Sequence, residues 1–295
     1  MQNTAKGLLS LLRIKHWIKN VIIFSPPFFA GRLDLLFTTS QIAAFFSFCL
    51  VASAVYIIND LMDIESDKIH PVKCKRALAS GLISKKSAII FLIFILLMLS
   101  ILVFCIKSTA PFIIAYFLLN VAYSFKLKEI AIIDVSCIAL GFVLRVLDGG
   151  AAAGNLLVSQ WLVTVVFLIT IAIAFAKRRD DLLLADGNQG QALRKSLEGY
   201  SINFLNIATS LSLSITLTAY IIYTISPEVV KRIGSDKVYV TAFFVFIGIM
   251  RYLQIILVEE KSGSPVDVFW KDRFIQFAIL GWITSFTILL YGRSI

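Results

Sequence analysis

Apolar runs of about 17–25 residues follow one another along almost the whole chain, the length a helix needs to cross the hydrocarbon core of a bilayer. Nine such spans are expected, at roughly 17–32, 41–60, 87–106, 109–125, 131–148, 158–176, 203–224, 238–258 and 274–292. Polar residues collect in the breaks, above all in 61–86, 177–202 and 259–273. The first run carries Pro26 and Pro27, which remove two backbone donors and predict a kinked helix. Its apolar stretch Val21–Ala30 follows Lys15 and Lys19 in the manner of a signal peptide, but no small-residue cleavage site ends it. A retained first helix is expected.

Composition makes lipid the bulk solvent. With 59% hydrophobic and 16% charged residues, a water-soluble helical domain would expose far too much apolar surface. A formal charge of +10 in a soluble protein would suggest a nucleic-acid partner. Here the cations sort by side of the membrane. Of the 28 Lys and Arg, 20 fall on the amino-terminal side of the spans and 6 on the other, with Arg145 and Arg251 inside spans. That asymmetry puts the amino terminus and the longer loops in the cytoplasm, so no nucleic-acid partner is expected. The reading is an all-α membrane protein, a bundle of nine transmembrane helices forming one polytopic domain over 1–295. It sits in the inner (cytoplasmic) membrane. Cys49, Cys74, Cys105 and Cys137 lack CxxC spacing and are expected as free thiols.

One charged stretch is unlike the rest: "NDLMDIESDKIHPVKCKR", residues 59–76. If the second helix continues through it, Asn59, Asp63 and Asp67 recur four apart, with Asp60 beside them on the same side. Carboxylates this close repel one another unless a cation is present. An oxygen-only donor row suits Mg²⁺, which keeps open positions for phosphate oxygens; Mn²⁺ can replace it. Pro71 then ends the helix, and Lys73, Lys75 and Arg76 follow, well placed for phosphate. A ligand carrying both divalent metal and phosphates accounts for both signs of charge. A solvated loop would not need the four-residue register.

Other polar groups recur at the cytoplasmic ends of spans. "RIKHWIKN" places Lys15 and Lys19 on one side of the first helix, with Trp17 at the interface. "AYSFKLK" contributes Tyr123, Lys126 and Lys128; "KRRDD" contributes Lys177, Arg178, Asp180 and Asp181; "RKSLEGY" contributes Arg194, Ser196 and Tyr200. Asp134 and Arg145 lie within the fifth span, where a charge is either functional or paired with a neighbouring helix. His70 is expected as a cap or a phosphate contact rather than a base.

"NDLMDIESD" fits the NDxxDxxxD pattern of the UbiA superfamily of intramembrane prenyltransferases, and the resemblance spans nearly the whole chain. The second DxxxD motif of that family is not matched, since "AKRRDDLLLAD" spaces its acids differently. The segments "RIKHWIKN", "NDLMDIESDKIHPVKCKR", "YSFKLK", "DVSCIALGFVLRVLDGG", "KRRDD", "RKSLEGY" and "KDRFIQ", in that order, resemble the decaprenyl-phosphate phosphoribosyltransferase branch. Ala77 stands where that branch has proline. The resemblance implies a nine-helix fold and phosphoribosyl diphosphate as donor. It implies a polyprenyl phosphate as acceptor and Mg²⁺ held by Asn59, Asp60, Asp63 and Asp67. It further implies that Asp60, Asp63, Asp67 and Asp181 are the catalytic acids, Asp181 standing in for the second motif. Lys19, Lys73, Arg76, Tyr123, Lys126, Lys177 and Arg178 become phosphate contacts. Two other readings stay open: prenyl transfer from an isoprenyl diphosphate on the same fold, and a lipid-binding or transport protein.

Overall fold

A computed structural model describes residues 2–69, 73–187, 195–259, 268 and 271–291. Every regular element among these residues is helical. His70, Pro71 and Arg194, singled out above, lie outside them.

The long helices are α3 (Thr39–Met62), α5 (Lys85–Cys105), α6 (Ala110–Phe125), α7 (Ile133–Ala152), α8 (Gln160–Gly187), α9 (Ile202–Ile225), α11 (Ala242–Leu257) and α12 (Arg273–Tyr291). Shorter pieces are α1 (Gln2–Leu11), α2 (Ser25–Phe29), α4 (Ile64–Ile69) and α10 (Pro227–Ile233). Among the described residues, eight helical stretches are long and apolar enough to cross a membrane, and they coincide with the second to ninth expected spans. The protein is therefore an integral membrane protein. Hydroxyls start several of these helices as the sequence demands. Thr38, Ser84 and Ser201 each accept a backbone N–H three residues on, which satisfies an otherwise orphaned donor.

The first expected span is built differently. Residues Ile14–Phe24 form a 3₁₀ helix, and the short α2 follows at the prolines. Pro26 and Pro27 cannot donate to the carbonyls of Ile22 and Ile23, so an α-helical ladder cannot run through. Ser25 Oγ caps the Ile22 carbonyl at 2.6 Å instead. The other boundary difference is α8. The expected span ended at 176, but the helix continues to Gly187, with the charged run "KRRDD" inside it. Arg178 and Asp181, one turn apart, pair at 3.0 Å and support the extension.

The chain divides into two compact units. The first comprises Met1–Phe125 and Leu144–Val158; the second comprises Lys126–Val143 and Ser159–Ile295. In the first, α3 is the central element, with Ala44, Phe48, Val51, Ala54 and Ile57 buried, and α5, α6 and the 3₁₀ segment pack against it. By contrast α5 turns Ile90, Ile93, Phe94, Leu97, Ile101 and Phe104 outward, as a lipid-facing helix should. In the second, α8 packs along α9 through small residues, and α11 packs on α9 and α12. Ala172 and Ala176 join Leu213, Tyr252, Ile256 and Ile275 in one core cluster.

Buried Arg145 is hydrogen-bonded, whereas the two carboxylate oxygens of Asp148, also buried, meet no hydrogen-bond partner among the described residues. Arg145 donates from Nε to Asn20 Oδ1 at 2.7 Å and from Nη2 to the Tyr116 hydroxyl at 3.0 Å. Its guanidinium also lies over the rings of Tyr116 and Phe48, at 4.6 and 5.3 Å. It is thus partnered within its own unit. All four cysteines are free thiols, as expected.

Gly149 lets α7 meet the broken first segment. A Cβ there would lie 2.0 Å from the Ile23 carbonyl oxygen, backbone against backbone, and Gln41 Nε2 ties the Gly149 carbonyl at 2.7 Å. Gly248 faces only the Ala278 methyl at 3.5 Å. Gly149→Ala should lower the detergent Tm, at a cost of about 1–3 kcal/mol or more because no flexible side chain can give way. Gly248→Ala, at a half-buried helix position with only an ordinary contact to meet, should keep or raise Tm, since Ala favours a helix by up to about 1 kcal/mol over Gly. Thermal unfolding of the two variants beside the parent chain checks both.

Candidate active site

The acidic row lies where α3 gives way to α4. Backbone bonds carry the turn across: Asp63 N–H to the Asn59 carbonyl at 2.9 Å and Asp67 N–H to the Asp63 carbonyl at 2.8 Å. The helix is not continuous, however; Asp63 caps α3 with φ −95° and ψ 10°. Asp60 and Asp67 are buried, and Asn59 and Asp63 half-buried. Glu65 points elsewhere, exposed and paired with Lys68 at 3.0 Å.

Buried carboxylates require a cation, and the structure supplies two. Arg76 Nη1 donates to Asp60 Oδ1 at 3.1 Å and to Asp67 Oδ2 at 2.7 Å, so one guanidinium bridges two acids seven positions apart. Arg13 Nη2 reaches the same Asp60 oxygen at 2.5 Å. Asn59 Nδ2 donates to Asp63 Oδ2 at 3.0 Å. Arg76 was anticipated from the sequence as a phosphate contact; Arg13 was counted only as a topogenic charge.

Arg13 is placed by backbone and ring contacts that sequence does not reveal. It takes a left-handed conformation, φ 50°, at the head of the 3₁₀ segment. Ser53 Oγ donates to the Leu12 carbonyl at 2.8 Å, and Trp17 Nε1 lies 3.2 Å from Ser53 Oγ. These bonds hold residues 12–17 on α3. The Arg13 guanidinium then sits 4.6 Å over the ring of Tyr56, one turn before Asp60. A cleft of about 540 Å³ opens alongside, lined by Lys6, Ser10, Arg13, Lys15, His16 and Arg76 among others. It is strongly basic and suits an anion.

Among the described residues, no three His, Cys, Asp or Glu side chains converge as a ready metal site. The donor set nevertheless fits a hard divalent cation in kind. It is all oxygen, it lies on one stretch of chain, and two of its members already share a single positive group. The guanidinium of Arg76 stands where such a cation would neutralise them.

Of the remaining residues in this unit, Lys19 and Tyr123 are half-buried on the 3₁₀ segment and α6, and Lys73 is exposed at the turn Lys73–Lys75.

The second unit carries its own charged cluster. Asp134, fully buried near the start of α7, accepts from Arg178 Nε at 2.6 Å, the Tyr200 hydroxyl at 2.7 Å and Ser196 Oγ at 3.3 Å. Arg178 Nη1 continues to Asp181 Oδ2 at 3.0 Å. Asp134 was expected to be either functional or paired, and here it is paired three ways. Burial first, then the bond to Asp134, holds the Tyr200 phenol well above its ordinary pKa, so it stays a donor. Lys126 and Lys177 are exposed.

Comparison with known proteins follows the same lines. A family model described as the UbiA prenyltransferase family matches residues 25–186. The chain is 31% identical to a protein of Mycolicibacterium smegmatis named decaprenyl-phosphate phosphoribosyltransferase, covering 98% of this chain and 94% of that one. A protein of the same name from Corynebacterium glutamicum is 30% identical, over 98% of this chain and 88% of its own. In fold, the structure is similar to a UbiA homolog from Archaeoglobus fulgidus solved with GPP and Mg²⁺. The TM-score is 0.71 at 18% identity, over 96% of this chain and 99% of that one. A row of acids after a long buried helix, an all-helical membrane architecture and a matching family model lead to one conclusion: the chain belongs to the UbiA prenyltransferase family.

Proposed function

We propose that the protein transfers the 5-phosphoribosyl group of phosphoribosyl diphosphate to a polyprenyl phosphate, decaprenyl phosphate in the relatives' names, with release of diphosphate. The observation that carries this reading is the near-full-length similarity to two enzymes of that name, on a chain whose buried acids and basic cleft suit a diphosphate-bearing donor. The protein acts as one polytopic domain with nine spans, the proline-broken segment being the first. Its amino terminus and reaction face the cytoplasm, in the inner membrane, as the Lys and Arg asymmetry argues.

The acceptor phosphate is already an anion, so its oxygen attacks C1 of the ribose without a strong general base. The C1–O bond to diphosphate breaks as the new C1–O bond forms, and the diphosphate leaves with the electron pair. Asn59, Asp60, Asp63 and Asp67 would hold Mg²⁺ (or Mn²⁺), which when bound supplies neutralisation of the departing diphosphate. Arg76 and Arg13 keep the buried acids compensated before the donor arrives, and their guanidiniums can turn to phosphate oxygens when it does. Lys19, Lys73, Tyr123, Lys126, Lys177 and Arg178 keep the phosphate-contact roles that the family resemblance implies, and Asp181 that of the second acid. Positioning and electrostatics carry most of the rate.

Purified protein in lipid, given labelled phosphoribosyl diphosphate and decaprenyl phosphate, should yield a labelled lipid. No labelled lipid, with turnover of an isoprenyl diphosphate instead, would favour prenyl transfer. Asp63→Asn should lower transfer at least about 100-fold while Tm stays near the parent value, because removing one charge-stabilising ligand costs several kcal/mol in the transition state. Near-normal turnover would remove Asp63 from the metal site.

Lys73 and Arg76 separate binding from stability. Lys73→Ala, at an exposed position, should raise the donor KM with Tm unchanged. Arg76→Ala should raise KM about tenfold or more and also lower Tm, since it leaves Asp60 and Asp67 short of a buried partner. Arg76→Lys should recover part of both. Donor titrations and thermal unfolding read the two effects separately.

A further inference from the structure

The Asp134 cluster has more order than a membrane-protein ion pair needs. Asp134 is 0% exposed and Arg178 2%, so the pair is sealed inside its unit. Arg178 uses Nε inward, on Asp134 Oδ2, and Nη1 outward, on Asp181, whose side chain is 36% exposed. A guanidinium is planar and rigid. Once Nε is fixed, the direction of both Nη groups follows. The two acids are not equivalent: one is the buried anchor, the other is at the accessible end.

The anchor is itself held from the other side. Tyr200 donates to Asp134 Oδ1 and at the same time accepts the backbone N–H of Ile132 at 2.5 Å. Ile132 has φ 69°, a left-handed conformation that a β-branched residue adopts only when its surroundings compel it. Gly199, next to Tyr200, permits the close approach; a Cβ there would lie 2.6 Å from the Ala131 methyl. Tyr200 is further fixed by stacking on Phe204 at 5.9 Å. Ser196 adds the third bond to Asp134, and Lys195 pairs with Glu129 at 3.2 Å. Residues 195–200 are therefore pinned to the start of α7 on both sides of the carboxylate, at the cost of a strained backbone.

We infer that Asp134 is a positioning residue for the transfer. It orients the Arg178 guanidinium, and through it Asp181, while Tyr200 and Ser196 hold Asp134 in place. Strain of this kind persists where geometry matters, and the geometry it maintains is the direction of the Arg178 fork. The inference rests on the phosphoribosyl-transfer reading, in which Arg178 meets phosphate; Asp134 itself touches no substrate.

The test uses full-length protein in lipid nanodiscs. It measures binding of labelled phosphoribosyl diphosphate without acceptor, then KM and kcat with decaprenyl phosphate. Asp134→Asn should weaken donor binding, raise KM about tenfold or more, and lower kcat as well because Asp181 loses its fixed partner. Asp134→Glu should recover part of the binding. Arg178→Lys, which keeps charge but loses the fork, should show the same defect. If Asp134 acts through Arg178, the double variant should bind within about twofold of Arg178→Lys alone. Tyr200→Phe should give a smaller defect in the same direction, and with Ser196→Ala it carries the test if Asp134→Asn does not fold. Defects that multiply in the double variant, or a lowered Tm with unchanged donor binding, would overturn the positioning role. A parent protein that transfers normally while Asp134→Asn does too would sink only this inference. A parent protein that binds no phosphoribosyl diphosphate would sink the proposed reaction with it.

Discussion

A carboxylate at the edge of a lipid-embedded helix bundle cannot remain charged without a cation, and the architecture of this protein follows from that constraint. Removing two ions from water costs several kcal/mol each, and only close, hydrogen-bonded partners offset it. Asp60 and Asp67 are nearly inaccessible, and Arg76 bridges them while Arg13 shares Asp60. The segment that ends α3, the turn that carries Arg76 and the start of the 3₁₀ segment must all converge for this to happen. The guanidiniums hold the acids in one region of space.

The same constraint has a different solution at Arg145. That guanidinium is met by an asparagine oxygen, a phenol and two ring faces. Neutral acceptors and aromatic faces soften a buried charge without creating a second one. The cluster at Asp134 is a third arrangement, in which an acid receives one guanidinium and two hydroxyls. Each polar group sits on the inward side of its helix, while Leu, Ile and Phe cover the outward side. The exposed apolar ridge of α5 shows the pattern plainly. The core is apolar as in a soluble protein, and the outer surface is apolar too, because here the solvent is hydrocarbon.

Helix content and the places of eight of the nine expected spans were legible because a bilayer leaves few choices. Eight of the nine expected apolar runs became helices of spanning length among the described residues, and three of them start at Thr38, Ser84 and Ser201, where a hydroxyl caps the first turn. Two boundaries were not legible. The double proline was read as a kink within one helix, yet the segment before it, Ile14–Phe24, is a 3₁₀ helix. The end of α8 was placed before "KRRDD" because charge was taken as the membrane edge. The helix runs on, with Arg178 held between Asp134 beside it and Asp181 one turn along it.

Sequence by itself determined the acidic row, because recurrence at four residues is a local property of helical geometry, and it determined the family, because NDxxDxxxD is contiguous. Only the tertiary structure decided which cations serve those acids. Arg13 is 47 residues from Asp60, and its reach depends on a left-handed backbone, a serine on α3 and the face of Tyr56. Asp134 likewise meets Tyr200 across 66 residues. Pattern along a chain records which faces are apolar. It does not record which distant side chains a fold will bring within hydrogen-bond range, because that depends on packing of whole helices rather than on spacing within one.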